Sequence, residues 1–194
     1  MRLVLVMETK GLSPRPFGTA GFILSAVTES TLLMGPLALI ALVSYPASIV
    51  LRATAWTLIG GRLKRIIFKF TGVAVGFLGG LLYLTLVGER FGLGFLRDLL
   101  AGALRVPSPI GELGTILVLW AAYSVLEFIA YLGLTGSTRT FMGASINLVG
   151  VILAYPLLSI RFYHPLILIL FVSAVFASIG FYRLKDEVTA ASYC

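Results

Sequence analysis

Glu127 stands near the middle of an apolar run, Leu113 to Thr135, that is long enough to cross a bilayer. A carboxyl group at that depth is costly, so it must be protonated, hydrogen-bonded or paired inside a bundle of helices. Three kinds of chemistry are open to it: passing a proton, liganding an ion or contacting a substrate. On a helix, Trp120, Tyr123, Ser124, Tyr131 and Thr135 lie three, four, seven or eight positions from it. Glu127, Tyr123 and Tyr131 therefore share one polar and aromatic stripe. Asn147 sits in the next apolar run, Phe141 to Ser159, beyond the loop Gly136-Ser137-Thr138-Arg139-Thr140. A five-residue loop makes the two runs antiparallel neighbours, with Glu127 nine residues before Gly136 and Asn147 seven after Thr140, at similar depth. The sequence contains no second acid clearly inside a span, so the expected role of Glu127 is an interhelical clamp, hydrogen-bonded to a Tyr or to Asn147, with proton or ion handling or substrate contact as the alternative.

Other chemistry is poorly supplied. There is no Gly-x-x-x-x-Gly-Lys-Ser/Thr, His-Glu-x-x-His or Gly-x-Ser-x-Gly sequence, so an enzyme is not expected. A single histidine, His164, and a single cysteine, Cys194, exclude a bis-imidazole haem, a cysteine-based zinc site and an intrachain disulfide within this chain; no cofactor or metal is expected. Arg139, placed just before a helix N-terminus among hydroxyls, is a candidate contact for lipid phosphate.

The elements that position these residues follow from hydropathy. Of 194 residues, 59% are hydrophobic and 12% charged, and the mean hydropathy is +1.03. That balance belongs to one all-α membrane domain, a polytopic bundle in the cell membrane. The net charge of +7 does not indicate nucleic acid, because the basic residues flank apolar runs instead of forming a patch interleaved with aromatics. Arg62, Lys64, Arg65 and Arg97 are expected at lipid headgroups, together with Arg139. Residues 1–16 read as an exposed leader, since Pro14 and Pro16 disfavour helix, and 183–194 as a short tail. Glutamine is absent and Asn147 is the one asparagine, a pattern of thermophilic proteins and of membrane helices alike.

Phe17 to Gly61 divides in two ways. In one, Phe17 to Thr28 lies at the interface and Thr31 to Leu51 crosses, giving five spans with Glu29 and Arg52 at the helix ends. In the other, Phe17 to Val43 and Tyr45 to Gly60 form a hairpin turning at Ser44-Tyr45-Pro46, giving six. The positive-inside rule favours six, because Arg62, Lys64, Arg65, Lys69 and Arg139 then gather on one side. Burial of Glu29 and Arg52 favours five. Ile66 to Gly88 is a further span, with Gly72, Gly76 and Gly80 at four-residue spacing as a helix-packing stripe, either internal or for a homodimer. Between Glu89 and Pro107 the pattern predicts an in-plane amphipathic helix carrying Arg97. Pro165 to Tyr182 is the last span, with Ser173, Ala174, Ala177 and Ser178 at packing spacing.

Gly136-Ser-Thr-Arg-Thr-Phe141 followed by Ala154-Tyr155-Pro156, with Pro14-Arg-Pro-Phe17 and Met34-Gly-Pro-Leu37 upstream, resembles the Yip domain family of five-span membrane proteins. The sequence departs from that pattern in having one loop glycine and an adjacent Tyr155-Pro156. The resemblance implies a membrane scaffold, tied in eukaryotes to vesicle trafficking and small GTPases, and implies no catalytic residues. The expectation is thus a non-enzymatic scaffold or subunit of a larger membrane assembly, with lipids and homo- or hetero-oligomeric membrane partners. The alternative is a transporter or proton-coupled subunit using Glu127 and Asn147.

Overall fold

The computed structural model describes residues 12–32, 37, 39–87, 110–134, 138–159 and 164–184, and these are helical apart from short turns. Six helices follow one another: α1 (Pro14–Leu32), α2 (Leu39–Leu63), α3 (Ile66–Val87), α4 (Ile110–Leu132), α5 (Thr138–Ser159) and α6 (His164–Tyr182). The expected in-plane helix at 89–107, with Arg97, lies outside the described residues, as do the chain before residue 12 and the tail beyond 184.

Two expectations about the N-terminal third are corrected. Helix α1 begins at Pro14, within the segment read as a leader. Prolines are tolerated in a first turn, where the missing N–H would have no intrahelical acceptor anyway. The hairpin exists, but its break falls between Leu32 and Leu39, and not at Ser44-Tyr45-Pro46. Pro46 lies inside α2. A proline there leaves the carbonyl four residues back without its helical donor. That carbonyl belongs to Leu42, and the hydroxyl of Tyr83 on α3 donates to it at 3.0 Å. The neighbouring helix thus satisfies the group that proline strands, as an apolar medium requires. Tyr83→Phe is expected to cost about 1 kcal/mol. In a Pro46→Ala background, where the helical N–H is restored, the same change should cost much less; denaturant titration of the four proteins checks this.

Each helix packs on the next in sequence, and α6 packs back on α1, so the six close into a ring. The neighbours run antiparallel. Gly18 near the start of α1 lies under the Phe181 ring at the end of α6, and Gly133 at the end of α4 faces Phe68 at the start of α3. Glycine permits the closest approaches. A methyl at Gly143 would stand 2.7 Å from the backbone nitrogen of Ala177, so α5 and α6 touch backbone to backbone. Ser173 seals that contact by donating to the Gly143 carbonyl at 2.7 Å. Between α1 and α2 the contact is a hydroxyl ladder, Ser25 to Ser48 at 2.6 Å and Thr28 to Ser44 at 2.7 Å.

The polarity of the ring is inverted relative to a water-soluble bundle. Val73, Phe77, Val118 and Ile152 point outward and are 67–69% exposed, whereas Ser48, Arg52, Thr71, Ser124 and Glu127 are buried. An outer surface this apolar needs lipid to cover it. Stretches Ile40–Leu63, Ile66–Thr85 and His164–Tyr182, in α2, α3 and α6, are long and apolar enough to cross a membrane. Helices α4 and α5 carry shorter apolar stretches, Leu117–Leu132 and Met142–Leu157.

The described cations, Arg52 apart, share one end of the ring: Arg15 at the start of α1, Arg62, Lys64, Arg65 and Lys69 about the α2–α3 turn, Arg139 in the first turn of α5, and Arg183 after α6. Beneath this end the interior is filled by aromatic rings. Trp56 meets Tyr131 edge-on at 4.8 Å and Phe181 at 5.6 Å, and stacks on Phe68 at 6.0 Å. A cavity extends from this aromatic cluster, at Tyr131 and Ala177, toward the opposite half, at Leu42 and Tyr83.

Candidate functional site

Arg52 occupies the fourteenth position of a 25-residue helix, α2, and points into the ring. A guanidinium so placed must find an anion and satisfy its five N–H groups within the protein. It pairs with Glu127 of α4: Nη2 bonds Oε2, and Nε donates to Oε1 at 3.2 Å. Nη1 reaches Ser25 of α1 at 3.4 Å. The flat cation lies 4.6 Å from the Phe22 ring centroid and 5.6 Å from that of Tyr123. Trp56 Nε1 adds a third bond to the carboxylate, donating to Glu127 Oε1 at 3.0 Å. Both charged residues are nearly inaccessible, at 6% and 3% exposure. Because α3 stands between α2 and α4 in the ring, the pair runs across the interior. Gly21 makes room for it, since a methyl there would lie 2.9 Å from Arg52 Cγ.

This arrangement corrects the expected clamp. Asn147 does not bond Glu127; its Nδ2 donates to Ser124 Oγ at 2.9 Å, three residues from Glu127 on the same helix. The α4–α5 hairpin and the matching depth of the two residues hold, with Ser124 as the acceptor. Arg52 is not at a helix end, and it outcompetes Asn147 because a buried carboxylate gains far more from a cation than from an amide. Tyr123 and Tyr131 lie on the expected stripe, Tyr123 against Arg52 and Tyr131 against Trp56.

All six helices line a cavity of about 230 Å3 in the middle of the ring. Its wall includes the Arg52–Glu127 pair, Asn147, Ser173 and Glu29. Glu29 of α1 is therefore a second interior acid, contrary to the expectation that Glu127 stands alone. Its Oε2 is buried and has no hydrogen-bond partner, and the same is true of the Tyr131 hydroxyl. Carboxylate and hydroxyl oxygens are strong acceptors, and leaving one buried without a donor costs on the order of 1–3 kcal/mol. The cavity can thus receive a donor group.

The remaining expected residues lie elsewhere. Arg62 reaches the Leu12 carbonyl at 3.3 Å, tying the α2 end to the start of α1. Lys64 turns the chain between α2 and α3 with a left-handed φ of 52°, and Lys64 and Arg65 are exposed. Arg139 begins α5, with its side chain outside the described residues. Gly72 packs against α2, where a methyl would meet Thr57 Oγ1 at 2.4 Å and the Ala53 carbonyl at 2.7 Å. Gly76 makes ordinary contact with Ala53, at 3.4 Å. Gly80, expected in the same stripe, faces open space; Gly79 takes its place against Ile49. A seven-residue spacing follows the helix surface where two four-residue steps drift off it.

Sequence reasoning missed Arg52 as the partner of Glu127, the hydroxyl ladder, Trp56 and the interior position of Glu29. A signal existed: Ser25 and Thr28 on one side and Ser44 and Ser48 on the other have helical spacing, and each pair shares a face with the acid or the arginine of its own helix. No protein-family model, no curated protein and no solved structure matches this chain.

Proposed function

We propose that the chain is a non-enzymatic, multi-pass protein of the cell membrane whose six helices all span, and that its central cavity binds and moves a small solute. What carries this reading is Glu29: a carboxylate oxygen, buried and unbonded, facing a cavity to which every helix of the ring contributes. A protein that only braced membrane helices would gain by replacing that acid with an apolar residue, because intramembrane acids without partners are destabilising. The basic end, with both ends of the described chain beside it, is assigned to the cytoplasm by the positive-inside rule.

Reconstitution into liposomes tests the reading. The protein is expected to drive solute counterflow or proton flux above protein-free vesicles, and Glu29→Gln should reduce it by about tenfold or more. Gln is the right replacement because it removes the charge while Oε2 has no bond to break. Absence of flux from the unaltered protein would overturn the transport reading.

A scaffold, with the Yip-like resemblance as its background, is the second reading. The observation that favours it is an outward groove of about 490 Å3 between α2 and α3, floored by Gly76, Gly79 and Gly80. Small residues facing lipid let a further helix approach closely. Copurification of a partner, or self-association abolished by Gly80→Leu, would support that use of the groove.

A further inference from the structure

We propose that the cavity takes a small organic monocation, an amine, with Glu29 as its anionic anchor; this rests on reading the cavity as a solute site. Three ionisable side chains line the cavity: Arg52, Glu127 and Glu29. Two of them cancel. Glu127 has both oxygens engaged, Oε1 by Arg52 and Trp56 and Oε2 by Arg52. Arg52 is enclosed in turn, with Phe22 and Tyr123 against its guanidinium and Ser25 on Nη1. Its charge is spent inside the protein, so it is a poor anchor for an anion.

Glu29 is left over. Its Oε2 accepts no hydrogen bond, and the hydroxyls nearest to it in sequence are occupied, Thr28 with Ser44, Ser30 with the Val27 carbonyl and Thr31 with the Thr28 carbonyl. The group that completes it must donate a hydrogen bond, and a positively charged N–H donor makes the strongest such bond to a carboxylate. The rest of the wall says what should surround that charge. Phe22, Tyr45, Tyr83, Trp120, Tyr123 and Tyr131 present aromatic rings to the cavity, the surface that attracts ammonium groups through the negative faces of the rings. Tyr45 and Tyr83 lie stacked, with ring centroids 6.2 Å apart. A bare divalent ion needs six or more converging oxygens, several of them carboxylate, whereas the unpartnered oxygens of this mostly apolar wall are one carboxyl oxygen, of Glu29, and the hydroxyls of Tyr45 and Tyr131. The buried, unbonded hydroxyl of Tyr131 is a further polar contact for the far end of the molecule. A cavity of about 230 Å3 holds several times the ~30 Å3 share of one water, which suits a compact amine.

The test uses the full chain in lipid nanodiscs and three probes of similar size: phenethylamine, 2-phenylethanol and phenylacetate. Binding is followed by tryptophan fluorescence, since Trp120 lines the cavity, and checked by calorimetry. Phenethylamine is expected to bind at least ~10-fold more tightly than 2-phenylethanol, with phenylacetate weakest. Glu29→Gln should bring the amine to within ~3-fold of the alcohol. The ranking of probes on the unaltered protein needs no variant, so a folding defect in Glu29→Gln cannot rescue or sink the result. Equal binding of amine and alcohol, preference for phenylacetate, or an amine preference surviving in a folded Glu29→Gln protein would each overturn the cation assignment and leave the solute-site reading standing. No binding of any probe would overturn the inference. Amine binding without flux in liposomes would support the inference and defeat transport.

Discussion

Arg52→Leu is expected to destabilise the protein by about 3–5 kcal/mol, the largest effect of any single substitution considered, because it abandons Glu127 inside the ring. The carboxylate would keep one donor, Trp56 Nε1, and lose the bonds from Nε and Nη2. Glu127→Leu should cost a similar amount by stranding the guanidinium. The double variant Arg52→Leu, Glu127→Leu should recover most of the loss. A buried ion pair barely repays its own desolvation, and apolar side chains of similar volume often do as well or better. Unfolding titrations on the four proteins, arranged as a double-mutant cycle, measure the coupling. Additive losses in the double variant would mean that the two residues stabilise the ring independently of one another.

The second large effect belongs to a glycine. Gly72→Ala places a methyl 2.4 Å from Thr57 Oγ1 and 2.8 Å from the Thr57 backbone nitrogen. The threonine hydroxyl is held by the Ala53 carbonyl at 2.8 Å, and backbone cannot rotate away, so α2 and α3 must separate. Overpacking of this kind costs typically about 1–3 kcal/mol. Gly80→Ala is the internal control: a methyl there meets nothing within 4 Å, and alanine is the better helix former by up to ~1 kcal/mol. The expected order of stability is Gly80→Ala at or above the unaltered protein and Gly72→Ala well below it, by thermal or denaturant unfolding. Equal effects at the two positions would deny the α2–α3 contact its backbone-limited character.

The class of fold was legible because hydropathy reports burial in lipid or protein without needing to know which. The same reasoning placed Glu127 inside a bundle and set Asn147 at its depth, both read from loop length and the 3.6-residue repeat. Partner choice was another matter. Asn147 is 20 residues from Glu127, and Arg52 is 75 residues away on a helix that does not adjoin α4 in the ring; nothing in local periodicity favours the distant residue. The break in the first hairpin was missed for a related reason. Pro46 reads as a breaking signal in the sequence, and the tyrosine hydroxyl from α3 that satisfies the carbonyl it strands lies 41 residues from that carbonyl. Gly80 was misplaced by treating four-residue spacing as exact over two steps, although α3 turns at 3.6 residues.

The transverse Arg52–Glu127 bond has a consequence for biogenesis. The hydroxyl ladder between α1 and α2 joins residues 23 and 16 positions apart, so its partners are synthesised almost together. Arg52 has to wait 75 residues for Glu127, about 4–15 s at ~5–20 residues per second of synthesis. During that interval the first two helices hold a cation whose eventual anion is still unmade. The Ser25–Ser48 and Thr28–Ser44 bonds are the polar contacts available to hold the first two helices together until α4 is made.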